Sequence, residues 1–311
     1  MTKPKVYIDG KEGTTGLQIY DRLQKRDDID LLLIDEAKRK DTQERRKLIN
    51  AADLVFLCLP DAAAIEAMSL VENDSTRIID ASTAHRTAPG WDYGFPELSK
   101  EHKAAIIKSK RVANPGCHAS GFVSIVYPLV ATGILPKDYP LTCFSLTGYS
   151  GGGKKMIAQY ESEDKSKDLF APRIYGLNLN HKHIPEMMAV TGITEKPIFS
   201  PIVDDYYCGM ATAVPIKNHL MAKKLTTAEI RDALAQHYEG AEFVKVAPEL
   251  GNGMLESNWG AGTNMMELTV CGNDGETLIV SRFDNLGKGA SGAAVQNMNL
   301  MLNFDITKGL K

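Results

Sequence analysis

The chain has 311 residues, 43% of them hydrophobic and 24% charged, with a formal net charge of −3. This is chain enough for one large domain or two ordinary ones, the composition is globular rather than disordered, and the mildly acidic balance offers no field to hold a nucleic acid backbone. No apolar run approaches the length of a bilayer span and no basic stretch followed by an apolar one opens the chain, so a cytoplasmic protein with neither membrane nor nucleic acid partner is expected.

Lys5 to Asp9 (KVYID) reads as a strand, and Thr14 to Lys25 as a helix with Leu17, Tyr20 and Leu23 on one face. Between them lies GKEGTTG, with Gly10, Gly13 and Gly16 three apart. Such a strand–turn–helix brings backbone N–H groups close to a pyrophosphate, with Thr14 and Thr15 opening the helix. A second strand (Leu31 to Ile34), a charged helix (Asp41 to Ala51), a third strand in DLVFLCLP, a helix (Asp61 to Val71) and a fourth strand (Arg77 to Asp80) follow. The order predicts a Rossmann-like, doubly wound parallel sheet. Leu59 and Pro60, at the end of the third strand, and Ser82, past the fourth, then fall on its ligand-binding edge. Asp35 ends the second strand, where an acid suits a free ribose diol, but Lys38, Arg39 and Lys40 follow and suit a 2′-phosphate. The basic run, with Arg45, Arg46 and Lys47, otherwise reads as a solvated loop and helix face.

Past Cys117 the pattern changes. A helix is predicted from Cys117 to about Val130, then strands at Leu141 to Thr147, Cys208 to Ile216, Phe243 to Val246, Met265 to Cys271 and Thr277 to Phe283, with helices at about Gly153 to Glu163 and Thr226 to Tyr238. Long strands in succession predict an α+β domain with a mostly antiparallel sheet and helices on one face. Gly289 to Phe304 again has helical spacing and should return to the first domain. The expected division is residues 1–116 plus 286–311 for the dinucleotide and an inserted 117–285 for catalysis, substrate and oligomerisation.

Five cysteines, odd in number and without a CxxC, argue against a disulfide scaffold or a structural zinc site, and no metal is expected. Cys58, Cys143, Cys208 and Cys271 sit in strand-like runs and read as inert. Cys117 stands in ANPGCHASG at a predicted helix start, where unpaired N–H groups and the helix dipole favour a thiolate and can hold an oxyanion. NHKHIPE supplies His181 and His183 as candidate bases, two apart and so on one face if extended, with Glu186 following. His118, next to Cys117 on a helix, should point elsewhere. In DASTAHR, Thr83 and Arg86 suit a phosphate or carboxylate, as does Ser82, which also suits the cofactor. SGGGKK places Ser150, Gly151, Gly152 and Lys154 at another helix start fit for an anion.

The glycine turn, FLCLPDAA, DASTAHR, NPGCHASG, SGGGK, HKHIPE and DNLGKGASGAAVQNMNLML together resemble the short form of the N-acetyl-γ-glutamyl-phosphate reductases, over essentially the whole chain. His118 and Ser120 stand where the long form has an aromatic residue and a Thr, and DASTAHR replaces a DLSADFR-like string. The resemblance implies an NADP(H)-dependent reduction of a small acyl phosphate through a thioester on Cys117, in arginine biosynthesis. It implies that His183, or else His181, moves the proton. Asn114 and Glu186 join the substrate residues, Asn285, Gly287 and Lys288 lie at the nicotinamide end, and the protein is a homodimer or homotetramer. The alternatives are an aspartate-semialdehyde-dehydrogenase-like phosphorylating reductase, a non-catalytic dinucleotide sensor, and a reductase for a carrier-bound acyl phosphate. The last needs a basic docking surface, which nothing outside Lys38 to Lys47 suggests.

Overall fold

The computed structural model describes residues 2–248 and 253–310. In chain order its elements are β1 (Lys5–Asp9), α1 (Thr14–Leu23), β2 (Asp30–Leu32), α2 (Thr42–Ala51), β3 (Leu54–Leu57), α3 (Asp61–Ser69), β4 (Arg77–Asp80), β5 (Asp92–Tyr93), α4 (Lys100–Lys108) and β6 (Arg111–Ala113). There follow α5 (Cys117–Ala131), β7 (Thr142–Gly148), α6 (Gly153–Tyr160), β8 (Arg173–Ile174), α7 (Ile184–Thr191), β9 (Ile198–Asp204), β10 (Met210–Lys217), α8 (Thr227–His237), β11 (Val244–Val246), β12 (Met266–Gly272), β13 (Glu276–Phe283) and α9 (Gly292–Met301). Two compact units result: residues up to Pro115 with those from Ala290 onward, and Gly116–Gly289.

The first unit holds a six-stranded, wholly parallel sheet in the order β2-β1-β3-β4-β6-β5. The order reverses between β1 and β3, which opens a crevice at their carboxyl ends. Tyr7, Val55, Leu57 and Ile78 on one face pack against Ile49 of α2 and Ala64 and Ala67 of α3. Helix α9 lies against α1, α4 and β4. Asp41 and Ser99 cap α2 and α4 with side-chain oxygens, which satisfies N–H groups that a helix start leaves over.

The second unit is built on a seven-stranded mixed sheet, β11-β12-β13-β10-β7-β9-β8, in which β11–β12 and β7–β9 pair in parallel and the other neighbours antiparallel. Helix α5 packs on β10 and β13, and on α7 and α8. Eleven of its fifteen residues are buried, so its apolar run is a core helix rather than an amphipathic one. Pro128 lies inside it and has no N–H for the carbonyl of Ser124, four residues back. The hydroxyl of Tyr238 donates to that carbonyl instead, at 2.7 Å. The other sheet face is open at one end, where Phe144 and Ile198 are exposed; Ala213 and Val280, on the same side by register, are buried and pack with Leu278 and Leu255. No described helix is long and apolar enough to cross a membrane.

Three expectations are corrected. Arg45 is not a solvated member of the basic run. It is buried and forms a fork with Asp9 at 3.0 Å, reaching Glu66 at 3.3 Å, because the end of β1 presents a buried carboxylate that needs a cation. Residues 286–289 belong with the second unit, since Leu286 N–H donates to the Asp284 carboxylate (2.7 Å) and Gly289 N–H to the Asp284 carbonyl (2.9 Å). The final helical stretch opens with a π-turn, Gly287–Ser291, before α9.

Candidate active site

In the first unit the glycine turn closes on itself through Gly13 N–H to Gly10 carbonyl, at 3.0 Å. Gly10 has φ +85°, and a Cβ there would strike the carbonyl of Cys58 and the side chain of Leu59, at the end of β3. Gly16 is crowded by the Gly10 carbonyl at 2.5 Å. Gly13 differs: a Cβ there would meet only ordinary contacts, at 3.5 Å, so packing alone does not require a glycine at this position. Beside it the Thr14 hydroxyl is buried without a hydrogen-bond partner. Thr15 is the second residue of α1, and Pro60 the cap of α3. A cavity of about 430 Å³ opens at this edge, with Gly10, Leu59, Glu36, Arg39 and Lys40 among its walls. Asp35 is not one of them; its carboxylate caps the turn that follows β2 by accepting Ala37 N–H at 2.9 Å.

The DASTAHR loop is tied to the elements around it. Ser82 donates to the fully buried Asp80 carboxylate at 2.7 Å, and His85 Nδ1 lies 2.6 Å from the same group and stacks on Trp91. Thr83 bonds Asp61 at the start of α3 through both its N–H and its hydroxyl. Arg86 donates to the carbonyls of Asn114 (3.1 Å) and Ala81 (3.2 Å). Asn114 is buried and gives its amide to the Ala290 carbonyl at 2.9 Å. Together these bonds hold the carboxyl edge of β4 and β6 in shape.

In the second unit Cys117 is the first residue of α5, as its position after Asn-Pro-Gly predicts, with Gly116 as the cap. The N–H of Gly116 donates to the buried carboxylate of Glu186, at 2.8 Å, which pins the loop before the nucleophile to α7. The first intrahelical bond is Ser120 N–H to Gly116 carbonyl, at 2.8 Å, so the N–H groups of Cys117 and His118 lie at the open helix start, where an oxyanion is best held. Ser120, one turn on, has a buried hydroxyl without a hydrogen-bond partner. Gly289 backs the cysteine so closely that a Cβ there would lie 2.9 Å from that of Cys117.

His181 and His183 come together, their ring centres 4.8 Å apart and edge to face. The cause is a turn into α7 rather than the extended segment expected: His183 N–H donates to His181 Nδ1 at 3.2 Å, which leaves the proton of a neutral His181 on Nε2. His118 is not turned away from this cluster, as its helical position suggested. Its ring centre lies 5.6 Å from that of His181 and 5.7 Å from that of His183. Burial, helped by the charge of Lys182, lowers its pKa to about 3, so it is neutral. Tyr175 completes the group with its hydroxyl 2.7 Å from His118 Nε2. Sequence reasoning passed over Tyr175, because a lone Tyr before a polar loop carries no pattern.

Ser150 is buried, with its hydroxyl taking the Asn285 amide at 3.0 Å, while Asn285 accepts Gly209 N–H at 2.8 Å. Gly151, Gly152 and Lys154 are exposed beyond it at the start of α6. Gly287 is packed on the Thr263 carbonyl, and Lys288 is buried over the ring of Phe243. None of the five cysteines is in a disulfide. Burial raises the thiol pKa of Cys58, Cys143 and Cys271, and pushes Cys208 up to about 11 with the help of the Asp284 charge. Those four are poor nucleophiles. Among the described residues no group of three or more His, Cys, Asp or Glu could hold a metal ion.

Family models described as the semialdehyde dehydrogenase NAD binding domain and the semialdehyde dehydrogenase dimerisation domain match residues 5–106 and 117–285. The chain is 48% identical to N-acetyl-gamma-glutamyl-phosphate reductase 2 of Nostoc sp., with all of both chains covered. It is 45% identical to the protein of that name from Pseudomonas putida, covering 97% of this chain and 98% of the relative. Among solved structures, aspartate semialdehyde dehydrogenase II from Vibrio cholerae superposes with a TM-score of 0.72 over 97% of this chain and 99% of its own, and the Francisella tularensis aspartate semialdehyde dehydrogenase with 0.73 over 96% and 100%. At 14% identity each, these two share the fold. The full-length identity and both domain models make this chain a member of the N-acetyl-gamma-glutamyl-phosphate reductases within the semialdehyde dehydrogenase family.

Proposed function

We propose that this protein reduces N-acetyl-γ-glutamyl phosphate to N-acetylglutamate 5-semialdehyde, releasing phosphate, with NADPH as reductant, as a step of arginine biosynthesis. The observation that carries the reading is Cys117: it opens a buried helix whose N-terminal loop is pinned by Glu186 and whose next residue, His118, has its ring 5.6 and 5.7 Å from those of His181 and His183, while burial raises the pKa of the other four thiols.

The thiolate of Cys117 attacks the acyl carbon, the N–H groups at the start of α5 hold the oxygen as it gains charge, and phosphate leaves to give a thioester. When bound, the cofactor supplies the hydride that reduces that thioester. His183, or else His181, takes the thiol proton at the outset and returns one to the product side. Glu186 fixes the cysteine loop, and Ser150, Gly151, Gly152 and Lys154 offer the anion-binding start of α6. The first unit fits a dinucleotide on three counts: the partnerless Thr14 hydroxyl, the uncrowded face of Gly13, and the cavity over the switch point. Arg39 and Lys40 on its wall, with Asp35 occupied as a cap, favour the 2′-phosphate of NADP(H).

The exposed apolar side chains of Phe144 and Ile198, on the part matched by a dimerisation model, support a homodimer or homotetramer. A working thiolate needs a reducing compartment, which supports the cytoplasm. The reverse reaction tests the reading: N-acetylglutamate semialdehyde with phosphate and NADP⁺ should produce NADPH, aspartate semialdehyde should not, and Cys117→Ser should abolish turnover. The opposite preference would make the protein an aspartate semialdehyde dehydrogenase; NADP binding without turnover of either substrate would make it a sensor.

A further inference from the structure

We propose that His118 is a positioning residue of this reaction: Thr212, Ser145 and His118 form a one-way chain of hydrogen bonds that leaves the phenolic proton of Tyr175 directed at the oxygen of the acyl group carried on Cys117. The inference rests on the reductase reading above.

Thr212 on β10 and Ser145 on β7 are register partners on the buried sheet face turned toward α5, with hydroxyls 2.8 Å apart. Ser145 lies 2.8 Å from His118 Nδ1, and His118 Nε2 lies 2.7 Å from the Tyr175 oxygen. The direction of the chain follows from its closed end. Among the described residues the Thr212 hydroxyl meets only Ser145. A buried O–H without an acceptor costs about 1–3 kcal/mol, whereas an oxygen with a spare lone pair is better tolerated. Thr212 therefore donates to Ser145, and Ser145 spends its own proton on Nδ1 of His118. A neutral imidazole that accepts at Nδ1 carries its proton on Nε2, so His118 donates to the oxygen of Tyr175. The proton of Tyr175 is then not used by His118, and the Tyr175 ring lies 5.9 Å from that of His181, within the histidine cluster; burial, with the charge of Cys117 behind it, raises the pKa of the phenol, so it keeps that proton.

During reduction the hydride adds to the carbon bonded to Sγ, the carbonyl π pair moves onto oxygen, and the Tyr175 O–H donates to that oxygen. On collapse the pair returns to re-form C=O and the C–S bond breaks with sulfur leaving as thiolate. Tyr175 keeps its proton throughout.

The test compares His118→Phe, His118→Gln and Tyr175→Phe with the double variant His118→Phe/Tyr175→Phe. Tyr175→Phe and His118→Phe should each lower kcat, toward the roughly 10²-fold expected for losing one oxyanion donor, with both KM values nearly unchanged. His118→Gln, whose amide N–H replaces Nε2–H, should recover most of the loss, and the double variant should be no slower than Tyr175→Phe. Additive losses, a Gln variant as slow as Phe, or a fully active Tyr175→Phe would overturn the proposal. Should the variants fail to fold, ¹⁵N NMR of the wild-type imidazoles decides: Nε2–H at His118 is expected, and Nδ1–H sinks the idea. A wild type inactive on N-acetyl-γ-glutamyl phosphate would remove the reductase reading and this one with it, whereas an active wild type with Nδ1–H would remove this one alone.

Discussion

Adding one methyl group behind the nucleophile, as Gly289→Ala, separates a reactive thiol from a merely buried one. On the present backbone the new Cβ stands 2.9 Å from the Cβ of Cys117 and 3.2 Å from both the Asp284 carbonyl oxygen and a ring carbon of Phe283. Carbon atoms settle at about 3.5–4.0 Å, so something must yield by about 0.6 Å or more. Two of the three neighbours belong to the end of β13 and the turn after it, and the third is the cysteine. Overpacking of this kind costs about 1–3 kcal/mol, and a displacement approaching 1 Å at a reacting atom can cost about 10²-fold. We expect a folded protein whose melting temperature drops by several degrees and whose kcat falls about 10- to 100-fold. NADPH consumption gives kcat, and the rate of iodoacetamide labelling at Cys117 reports the thiol directly. Gly275→Ala is the control, since its Cβ would meet only Asn273 Oδ1, at 3.6 Å. A Gly289→Ala enzyme with wild-type kcat and labelling rate would refute the argument that this contact sets the cysteine.

Four further outcomes are expected. Gly13→Ala, which meets only ordinary contacts, should leave the melting temperature within about a degree while NADP(H) affinity falls at least about tenfold, measured by titration calorimetry. Arg39→Ala combined with Lys40→Ala should raise KM for NADPH about 10- to 100-fold, equivalent to about 1.5–3 kcal/mol, and leave NADH kinetics unchanged. Tyr238→Phe leaves the Ser124 carbonyl beside Pro128 without its donor and should cost about 1–3 kcal/mol in urea unfolding, with kcat preserved. Because burial lowers the His118 pKa from 6.5 to about 3, the unfolded chain takes up a proton that the folded one refuses. The stability His118 contributes is thus intact above pH 6.5 and lost as pH falls from there toward 3, at roughly 1.4 kcal/mol per unit, so His118→Gln should flatten acid unfolding by one proton.

The parallel sheet was legible because its strands are short apolar runs separated by helices of clear period, and the strand–glycine–helix order is a local signal. Helix α4, β6 and β9 escaped notice. Lys100–Lys108 has its apolar residues in one run, Ala104 to Ile107, rather than at helical spacing, Arg111–Ala113 is three residues long, and Ile198–Asp204 contains Pro201, which normally demotes a strand. In the structure the carbonyl of that proline still accepts the N–H of Tyr175, the residue after β8, at 3.0 Å. Within the site, Cys117 could be found from its turn and the helix after it. Tyr175, Ser145 and Thr212 could not, since two strands and the segment after β8 bring them to His118 and no spacing records that. Arg45 was hidden for a related reason: six basic residues within ten positions look alike in sequence, and only the partner at Asp9 singles one out.

The contact between α5 and its sheet is not greasy throughout. Ser124 bonds Ser281 at 3.2 Å, and Gly121 nests against Thr212, which is itself joined to Ser145. Two smooth hydrocarbon surfaces could slip past one another by a fraction of a turn with little penalty. Directional hydroxyl pairs and a notch filled by a threonine cannot. The axial setting of the reactive sulfur is therefore decided about 10 Å down the helix, seven residues from Cys117 at about 1.5 Å each. Damage to that buried seam should appear first as poor chemistry, before any loss of fold is detected.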